Sequence, residues 1–434
     1  MTVLRELAER GHRVGAGLSP PAAAATATLV LDTVGCAVAG RGHPLAIEFI
    51  RTAQAFSGSA SPALRDRVAL TATLAHLDEL DAFHTAAAVL PCATVVPVAL
   101  ELARHRATAG PVLLAAVAAG AEVIVEAGLR FNASALYARG WWPAALFGGL
   151  GAAMTASLLL GHDEATTAQA LGLAAAGLGG LLSADQLAAG HYRLVGRAAA
   201  DGLEAALGAE CGQRAGATLL DHPAAAALGR PANPPSPTQE PHLAAGAIKM
   251  FACARPLHAA IEALAELRAR GHDPARADRI RISLPAPTLR FVTAERDPAG
   301  PAEAAASAAY VLTAFRADRA DDPTYFRATG PIDAPDVELA DDPELDARYP
   351  FHWGARVELF GRDPAEACVL DARGGPERPW PQAQIHEKFR RLVAPYWPRP
   401  VAEEWLRQCT DLAQTLGSVS PWAGRIPLVA SMAG

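Results

Sequence analysis

The densest group of ionisable residues in this apolar sequence lies between His76 and His84. It reads His76-Leu-Asp78-Glu79-Leu-Asp81-Ala-Phe-His84. Carboxylates one helical turn from an imidazole can orient its ring or hold a metal. The spacing makes Asp78, Asp81 and His84 candidate acid–base residues, although a helix end with solvated charges has the same composition. A metal site is disfavoured, because no His-x-x-x-His pair and no second ligand cluster accompanies the segment.

A second cluster, from Lys249 to His258, combines two cations with an imidazole. Pro256 opens a predicted helix and places His258 in its first turn, where the positive end of the helix dipole favours a neutral ring. A neutral imidazole accepts a proton at pH 7, so His258 is the leading acid–base or hydrogen-bonding candidate. Lys249 and Arg255 are suited to bind a substrate carboxylate. The alternative is that these side chains only satisfy backbone carbonyls at a domain junction.

Three further residues are candidates on weaker grounds. His191 and Arg193 precede a run of small residues, and we expect them on the loop before it. Tyr310 is a candidate acid, although a tyrosine in such apolar surroundings is more often part of a core. Phosphate-binding and nucleophile-elbow motifs do not occur, since Gly148-Gly-Leu-Gly151 lacks a third glycine and a preceding strand. The sequence therefore predicts no bound metal and no organic cofactor.

Helices must position most of these residues. From residue 20 to about 230, alanine- and leucine-rich stretches recur at helical spacing with glycine or proline between them. One predicted helix starts near Pro21 and ends before Gly40 and Gly42. The others are Pro62–Leu80, Pro91–His105, Pro111–Leu129, Pro143–Leu160 and Glu164–Leu182. A proline-rich segment, Pro231–Pro241, then interrupts the pattern and is typical of a connector.

Beyond the connector the hydrophobic period changes. Pro256–Arg270 is a predicted helix, and two segments then alternate apolar and polar residues as half-buried strands do, one at Ile280–Leu284 and one at Ala355–Leu359. Helical spacing returns near Ile385. We therefore predict a mainly α protein, with a large all-helical domain built from both chain ends (residues 1–255 and 385–434) and a smaller α+β lid domain (256–384).

Composition limits the class of partner. The chain has 434 residues, a formal charge of −7 and 51% hydrophobic residues, and it contains no block of Lys and Arg. Such a charge distribution favours a small-molecule substrate over a nucleic acid or an anionic membrane. We interpret the apolar run Ala144–Gly161 as a buried core helix. Six cysteines without a Cys-x-x-Cys pair, and a charged N-terminus without an apolar core, indicate a cytoplasmic protein.

Taken together, these residues resemble the MmgE/PrpD family, which includes 2-methylcitrate dehydratase, cis-aconitate decarboxylase and iminodisuccinate epimerase. Each matching motif is weak alone, but their order and spacing are specific. The matching segments are Leu31–Gly35, Ala39–Gly40, His76–His84, Gly140–Pro143, Gly151–Ala153, Leu159–Gly161, Ala170–Gly172, Gly196–Ala199, Gly202, Lys249–His258, Ser307–Tyr310 and Lys388–Arg390.

The resemblance implies a helical domain, an α+β lid, a cleft between them and a homodimer. It also implies metal-free acid–base chemistry on di- or tricarboxylates, and Asp78 or Asp81, Lys249, Arg255, His258 and Tyr310 retain suitable chemistry at the matched positions.

Four positions depart from the family pattern. Leu90 and Trp142 stand where the family usually has histidine, His191 aligns with its usual lysine, and Leu194 aligns with a histidine beside it. A tricarboxylate needs several cations or donors, because a buried carboxylate without a partner is costly. We therefore predict a lyase or isomerase with an altered pocket, formed in part by Leu90, Trp142, His191 and Arg193, for a substrate more apolar than methylcitrate. A catalytically silent binding or scaffold protein is the alternative, and a metal-dependent hydrolase ranks third.

Overall fold

The computed structural model describes residues 2–57, 62–182, 189–229, 232 and 241–420. Contacts divide the chain into two units. The helical unit comprises Met1–Leu77, Asp81–Gly246 and Gln382–Gly434, and the lid unit comprises Asp78–Leu80 and Ala247–Pro381. The predicted fold class is confirmed: the protein is mainly α, with a helical part built from both chain ends and a smaller α+β part.

The first part of the helical unit consists of alanine-rich helices, several of which begin at proline or after a polar capping residue. In the described residues these are α1 (Val3–Gly15), α2 (Pro20–Gly40), α3 (Ala46–Ser57), α4 (Leu64–His76), α5 (Pro91–His105), α6 (Gly110–Arg130), α7 (Ala133–Ala138), α8 (Pro143–Leu160), α9 (Glu164–Ala176) and α10 (Ala189–Glu210).

Small residues bring the central helices close together. A Cβ atom built on Gly151 of α8 would lie 2.5 Å from the carbonyl oxygen of Gly120 on α6. Gly202 of α10 similarly faces the carbonyl of Gly149 on α8. Backbones that approach this closely leave no room for a side chain, so glycine is required by packing at these positions.

Three helices, α2, α6 and α8, are long and apolar enough to cross a bilayer by length and composition. Between 83% and 89% of each apolar window is buried inside the structure. Their apolar side chains therefore pack against neighbouring helices, and α8 is the buried core helix that the run Ala144–Gly161 predicted.

Helix bounds follow proline and glycine where those residues are present. The predictions Pro91–His105 and Pro143–Leu160 are confirmed at both ends. The helix predicted to reach Leu182 ends at Ala176, because Gly177, Gly179 and Gly180 follow it. Most of the proline-rich connector, residues 231 and 233–240, lies outside the described residues.

Two further expectations about local structure were wrong. Helix α4 ends at His76 and not at Leu80, and Glu79 has a φ of 53°, which no helical residue adopts. Asp78, Asp81 and His84 therefore do not share a helix face. His191 and Arg193 lie within α10 and not on a loop before it.

The lid unit contains a four-stranded sheet covered by helix α11 (Pro256–Ala269). Its strands are β1 (Arg279–Leu284), β2 (Asp336–Asp341), β3 (Ala355–Phe360) and β4 (Ala365–Val369). The strand order is β2-β1-β3-β4, with β1 and β2 parallel and the other pairs antiparallel. Both predicted strands are present. The remaining elements are α12 (Pro301–Ala306), α13 (Ala308–Arg316), α14 (Pro323–Arg327) and α15 (Pro343–Asp346).

The chain returns to the helical unit with α16 (Gln382–Val393) and α17 (Arg399–Thr410). Both helices pack against α2. Lys388 of α16 forms an ion pair with Asp32 of α2, with 2.5 Å between Nζ and Oδ1, and both side chains are buried. The C-terminal helices thus complete the core that the N-terminal helices begin.

Candidate active site

Asp81, His76 and His191 form a hydrogen-bonded row in the helical unit, which we call the histidine relay. His76 is the last residue of α4, and its Nδ1 lies 2.8 Å from Oδ1 of Asp81. Its Nε2 lies 3.2 Å from Nε2 of His191 on α10. The three residues are 0%, 1% and 8% exposed, respectively. Burial strengthens such contacts, because water does not compete for them.

The hydrogen bonds restrict where the relay can hold protons. A carboxylate only accepts, so Nδ1 of His76 donates to Asp81. Between the two Nε2 atoms one must carry hydrogen and the other a lone pair. The relay therefore has two states, in which His191 donates to a neutral His76 or accepts from a protonated His76. Once Nδ1 of His191 has taken up a proton, passing the Nε2 proton to His76 converts the first state into the second. The positive charge is then stabilised beside Asp81, as in an Asp–His pair of a catalytic triad.

Aromatic side chains fix the rings of the relay. Trp142 precedes α8 and stacks on His191, with 4.0 Å between ring centroids and an interplanar angle of 27°. The Tyr192 ring lies 5.5 Å from His76 and 5.0 Å from His191. Trp142 and His191, which were both predicted to form part of the pocket, are thus one stacked pair.

A buried ion pair lies near the relay. Burial alone would lower the pKa of Lys388, but Asp32, Cys36 and Asp81 together hold it above its usual value. Burial raises the pKa of the Cys92 thiol, and Asp32 and Asp81 both add to that shift. The charge of Asp81 therefore acts both on Lys388 of the ion pair and on Cys92 in the first turn of α5.

The other predicted residues of the helical unit stand apart from the relay. Leu90 is buried immediately before α5. Arg193 is exposed on α10. Nδ1 of His84 accepts a hydrogen bond of 3.2 Å from the backbone N–H of Ala87, and in the described residues Nε2 has no hydrogen-bond partner. Burial, with the neighbouring His242, lowers the pKa of His84 to about 4, so its ring is neutral at pH 7.

In the lid unit, His258 lies in the first turn of α11, where the sequence predicted it. Nη1 of Arg255 lies 3.4 Å from Nδ1 of His258, and guanidinium can only donate, so Nδ1 is an acceptor. Nε2 of His258 then carries the hydrogen and donates to the carbonyl of Cys253 at 3.3 Å. The ring is held neutral with both nitrogens engaged. The catalytic role of His258 stays a prediction, and it requires one of these contacts to break.

The two cations of this cluster donate to backbone carbonyls. Lys249 donates to the carbonyl of Glu79 at 2.6 Å. Arg255 donates to the carbonyls of Ala372 and Arg373 at 3.4 and 3.3 Å, and burial lowers its pKa to about 10. These contacts match the structural alternative, in which the cations satisfy carbonyls. Binding of a substrate carboxylate by Lys249 or Arg255 stays a prediction.

Asp78 and Tyr310 have structural partners in the same unit. Both oxygens of Asp78 accept from Arg327, at 2.9 and 2.6 Å. The hydroxyl of Tyr310 donates to the carbonyl of Ala328, and burial raises its pKa, with a smaller contribution from Tyr325. A role for either residue as an acid or base competes with these bonds.

Three residues around the relay were not among the candidates. His76 belonged to the first cluster of ionisable residues. Its pairing with Asp81 was missed because the sequence predicted a helix that continues to Leu80, whereas α4 ends at His76. Lys388 carried a usable signal, since it lies three residues after Ile385 on the apolar face of its helix. A lysine at such a position predicts a buried partner, which is Asp32.

Two protein-family models match the chain. The model of the MmgE/PrpD N-terminal domain matches residues 6–227, and the model of the MmgE/PrpD C-terminal domain matches residues 251–412. The first range contains the whole relay, and Lys249 lies between the two ranges. No curated protein matches the chain.

Proposed function

The chain belongs to the MmgE/PrpD family, and we propose that it is a lyase or isomerase that moves a proton next to a carbonyl or carboxylate of its substrate. Dehydration, decarboxylation and epimerisation, the reactions of the family members named above, all include such a step. The observation that carries the proposal is the histidine relay, whose Asp81, His76 and His191 supply a buried acid–base group.

The relay performs the step by transferring one proton along its two rings. Nδ1 of His191 takes the proton from the substrate carbon, while the electron pair of that bond moves into the substrate. The proton on Nε2 of His191 passes to Nε2 of His76, so the positive charge comes to rest beside Asp81. The reverse transfer returns a proton from Nδ1 of His191 to the leaving group or to the substrate carbon.

The substrate in this proposal is more apolar than methylcitrate. Leu90 and Trp142 are buried and apolar at positions where the family usually has histidine. A pocket with fewer hydrogen-bond donors than usual in the family can bind fewer substrate carboxylates, because each buried carboxylate without a partner costs free energy. We propose a carboxylate substrate with an apolar substituent.

One observation favours a second candidate, a catalytically silent binding protein. Lys249 and Arg255, the cations suited to hold a substrate carboxylate, donate to backbone carbonyls in the lid unit. A family member that has lost its carboxylate contacts would retain the fold without turnover.

Proton–deuteron exchange tests the proposal. The protein is incubated in D2O with a panel of mono-, di- and tricarboxylates, and mass spectrometry follows deuterium uptake. We expect exchange into at least one carboxylate with an apolar substituent, and little turnover of 2-methylcitrate. No exchange into any compound would favour the silent binding protein.

Single-residue variants then identify which histidine is the acid–base group. H191Q and H76Q should lower the exchange rate about 100-fold or more, the scale for removing a general base. H272Q is the matched control, because His272 also forms an Asp–His pair, with Asp363 at 2.8 Å, but on the surface of the lid unit. H258Q is compared with them, because the acid–base role of His258 also stays a prediction. A loss of about 100-fold or more per folded molecule would assign His258 to the proton transfer, and a loss below tenfold would leave it a structural residue.

A further inference from the structure

Lys388 is a buried cation that pairs with one buried carboxylate and is influenced by the charge of a second. It pairs with Asp32 at 2.5 Å, and both side chains are 1% exposed. The second carboxylate is Asp81 of the relay, whose charge acts on Lys388. The packing agrees with this placement, because α2, which carries Asp32, contacts both α4, which ends at His76, and α16, which carries Lys388.

Stability alone does not explain such a pair. Removing two charges from water costs desolvation free energy, which cancels most of the free energy gained from their attraction. Apolar residues of the same volume therefore often stabilise a core as well or better. An ion pair retained next to a second buried carboxylate therefore points to an electrostatic role.

We propose that Lys388 is a positioning residue for the histidine relay: its charge, held in place by Asp32, keeps the relay in its proton-accepting form near neutral pH. This inference rests on the proposed function of the relay. Lys388 acts through Asp81 and His76 and does not contact substrate.

The sign of the effect follows from charge. Asp81 stabilises a proton on His76, and a nearby cation opposes that proton. Without Lys388, the carboxylates of Asp32 and Asp81 would lose this cation, and His76 would hold its proton to higher pH. Other titratable groups near the ion pair or the relay in the described helical unit include Cys36 on α2, Cys92 on α5, Tyr192 on α10 and His43, whose ring packs against Tyr192.

The test measures the titration of His76 in four variants of the full chain. Ring 15N resonances of His76, identified by their loss in H76Q, are followed against pH in protein labelled at histidine. The pH profile of the exchange reaction is recorded in parallel. In K388M, the midpoints of the His76 titration and of the pH profile of exchange should both rise by about one pH unit. K388R, which keeps the charge, should titrate like the wild type.

The double variant separates charge from packing. D32N/K388M removes one positive and one negative charge together, so the midpoint should return towards the wild-type value although the ion pair is gone. Where K388M does not fold, D32N alone provides the opposite test, because it leaves the cation less compensated and should lower the midpoint. An unchanged midpoint in folded K388M, or in D32N, would overturn the proposal and leave Lys388 a structural residue.

The two proposals fail in different ways. A wild-type protein that exchanges no substrate proton would refute the proposed function, whereas the ring titration would still report on Lys388. Normal exchange, together with a His76 titration midpoint that does not change in K388M or D32N, would refute only the inference about Lys388.

Discussion

At the scale of residues, burial decides which imidazoles can carry charge. His84 and His76 lie eight positions apart and both are buried, and within the described residues only His76 has a carboxylate partner, Asp81 at 2.8 Å. The Nδ1 atom of His84 accepts from a backbone N–H, and the ring stays neutral because burial and the neighbouring His242 outweigh the backbone contact that favours its charged form.

This difference predicts how stability depends on pH. Below pH 6.5 the unfolded chain binds a proton at His84, whereas the folded protein does so only below a pKa of about 4. Stability from the neutral ring is therefore complete above pH 6.5 and is lost as the pH falls towards 4, by about 3 kcal/mol in total. In H84Q this part of the pH dependence should disappear.

Urea unfolding of the wild type and of H84Q at pH 7 and pH 4.5 measures this pH-dependent part of the stability. H272Q serves as the control, since His272 is partly exposed and pairs with Asp363, and its loss should leave the slope between the two pH values nearly as in the wild type. An H84Q protein that loses as much stability on acidification as the wild type would show that another group is responsible.

At the scale of elements, helices could be predicted where the signals that bound them are local. Proline before α5 and α8, and glycine after α8, are read directly from the sequence, and both helices have the predicted bounds. The end of α4 was missed, because the residues after His76 are compatible with a helix and only tertiary contacts give Glu79 its positive φ. The relay depended on that helix end and on a contact between residues 115 positions apart, which no local pattern encodes.

The packing of α8 against α10 gives an element-scale prediction. A Cβ atom at Gly202 would lie 2.5 Å from Cβ of Ala152 and 2.8 Å from the backbone nitrogen of Ala153. Since backbone atoms cannot rotate away, G202A should push the helices apart and lower the free energy of unfolding by about 1–3 kcal/mol.

G417A is the matched control for this prediction. A Cβ atom at Gly417 would meet nothing within 4 Å, so its effect should stay within about 0.5 kcal/mol. The midpoints of urea unfolding followed by circular dichroism compare the two variants. Equal midpoints would show that α8 and α10 can adjust their separation at little cost.

At the scale of the whole molecule, the helical unit depends on both ends of the chain. Helices α16 and α17 cover α2, and they contribute Lys388, Phe389 and Trp405 to its core. The period of the hydrophobic residues near Ile385 predicted this return to helix, but it carried no information on which earlier helix would be covered.

A chain that ends after Pro381 should therefore fail to form the helical unit. It leaves Asp32 buried without its cation, which alone costs about 3–5 kcal/mol, and it exposes the apolar face of α2. We expect the truncated protein to lose its cooperative urea transition, and residues 382–434 supplied as a separate peptide to restore it. A truncated protein that unfolds as cooperatively as the full chain would contradict this view of the core.

The pairing of Asp32 with Lys388 also has a consequence for biosynthesis. The two residues are 356 positions apart, so at a translation rate of about 5–20 residues per second the ribosome needs roughly 20–70 s between them. During that interval the nascent chain carries α2 with its apolar surface uncovered and an aspartate that has no cation to neutralise it. Final docking of α2 therefore waits until Lys388 has been synthesised, and chaperones that bind apolar helices have up to about a minute in which to engage α2.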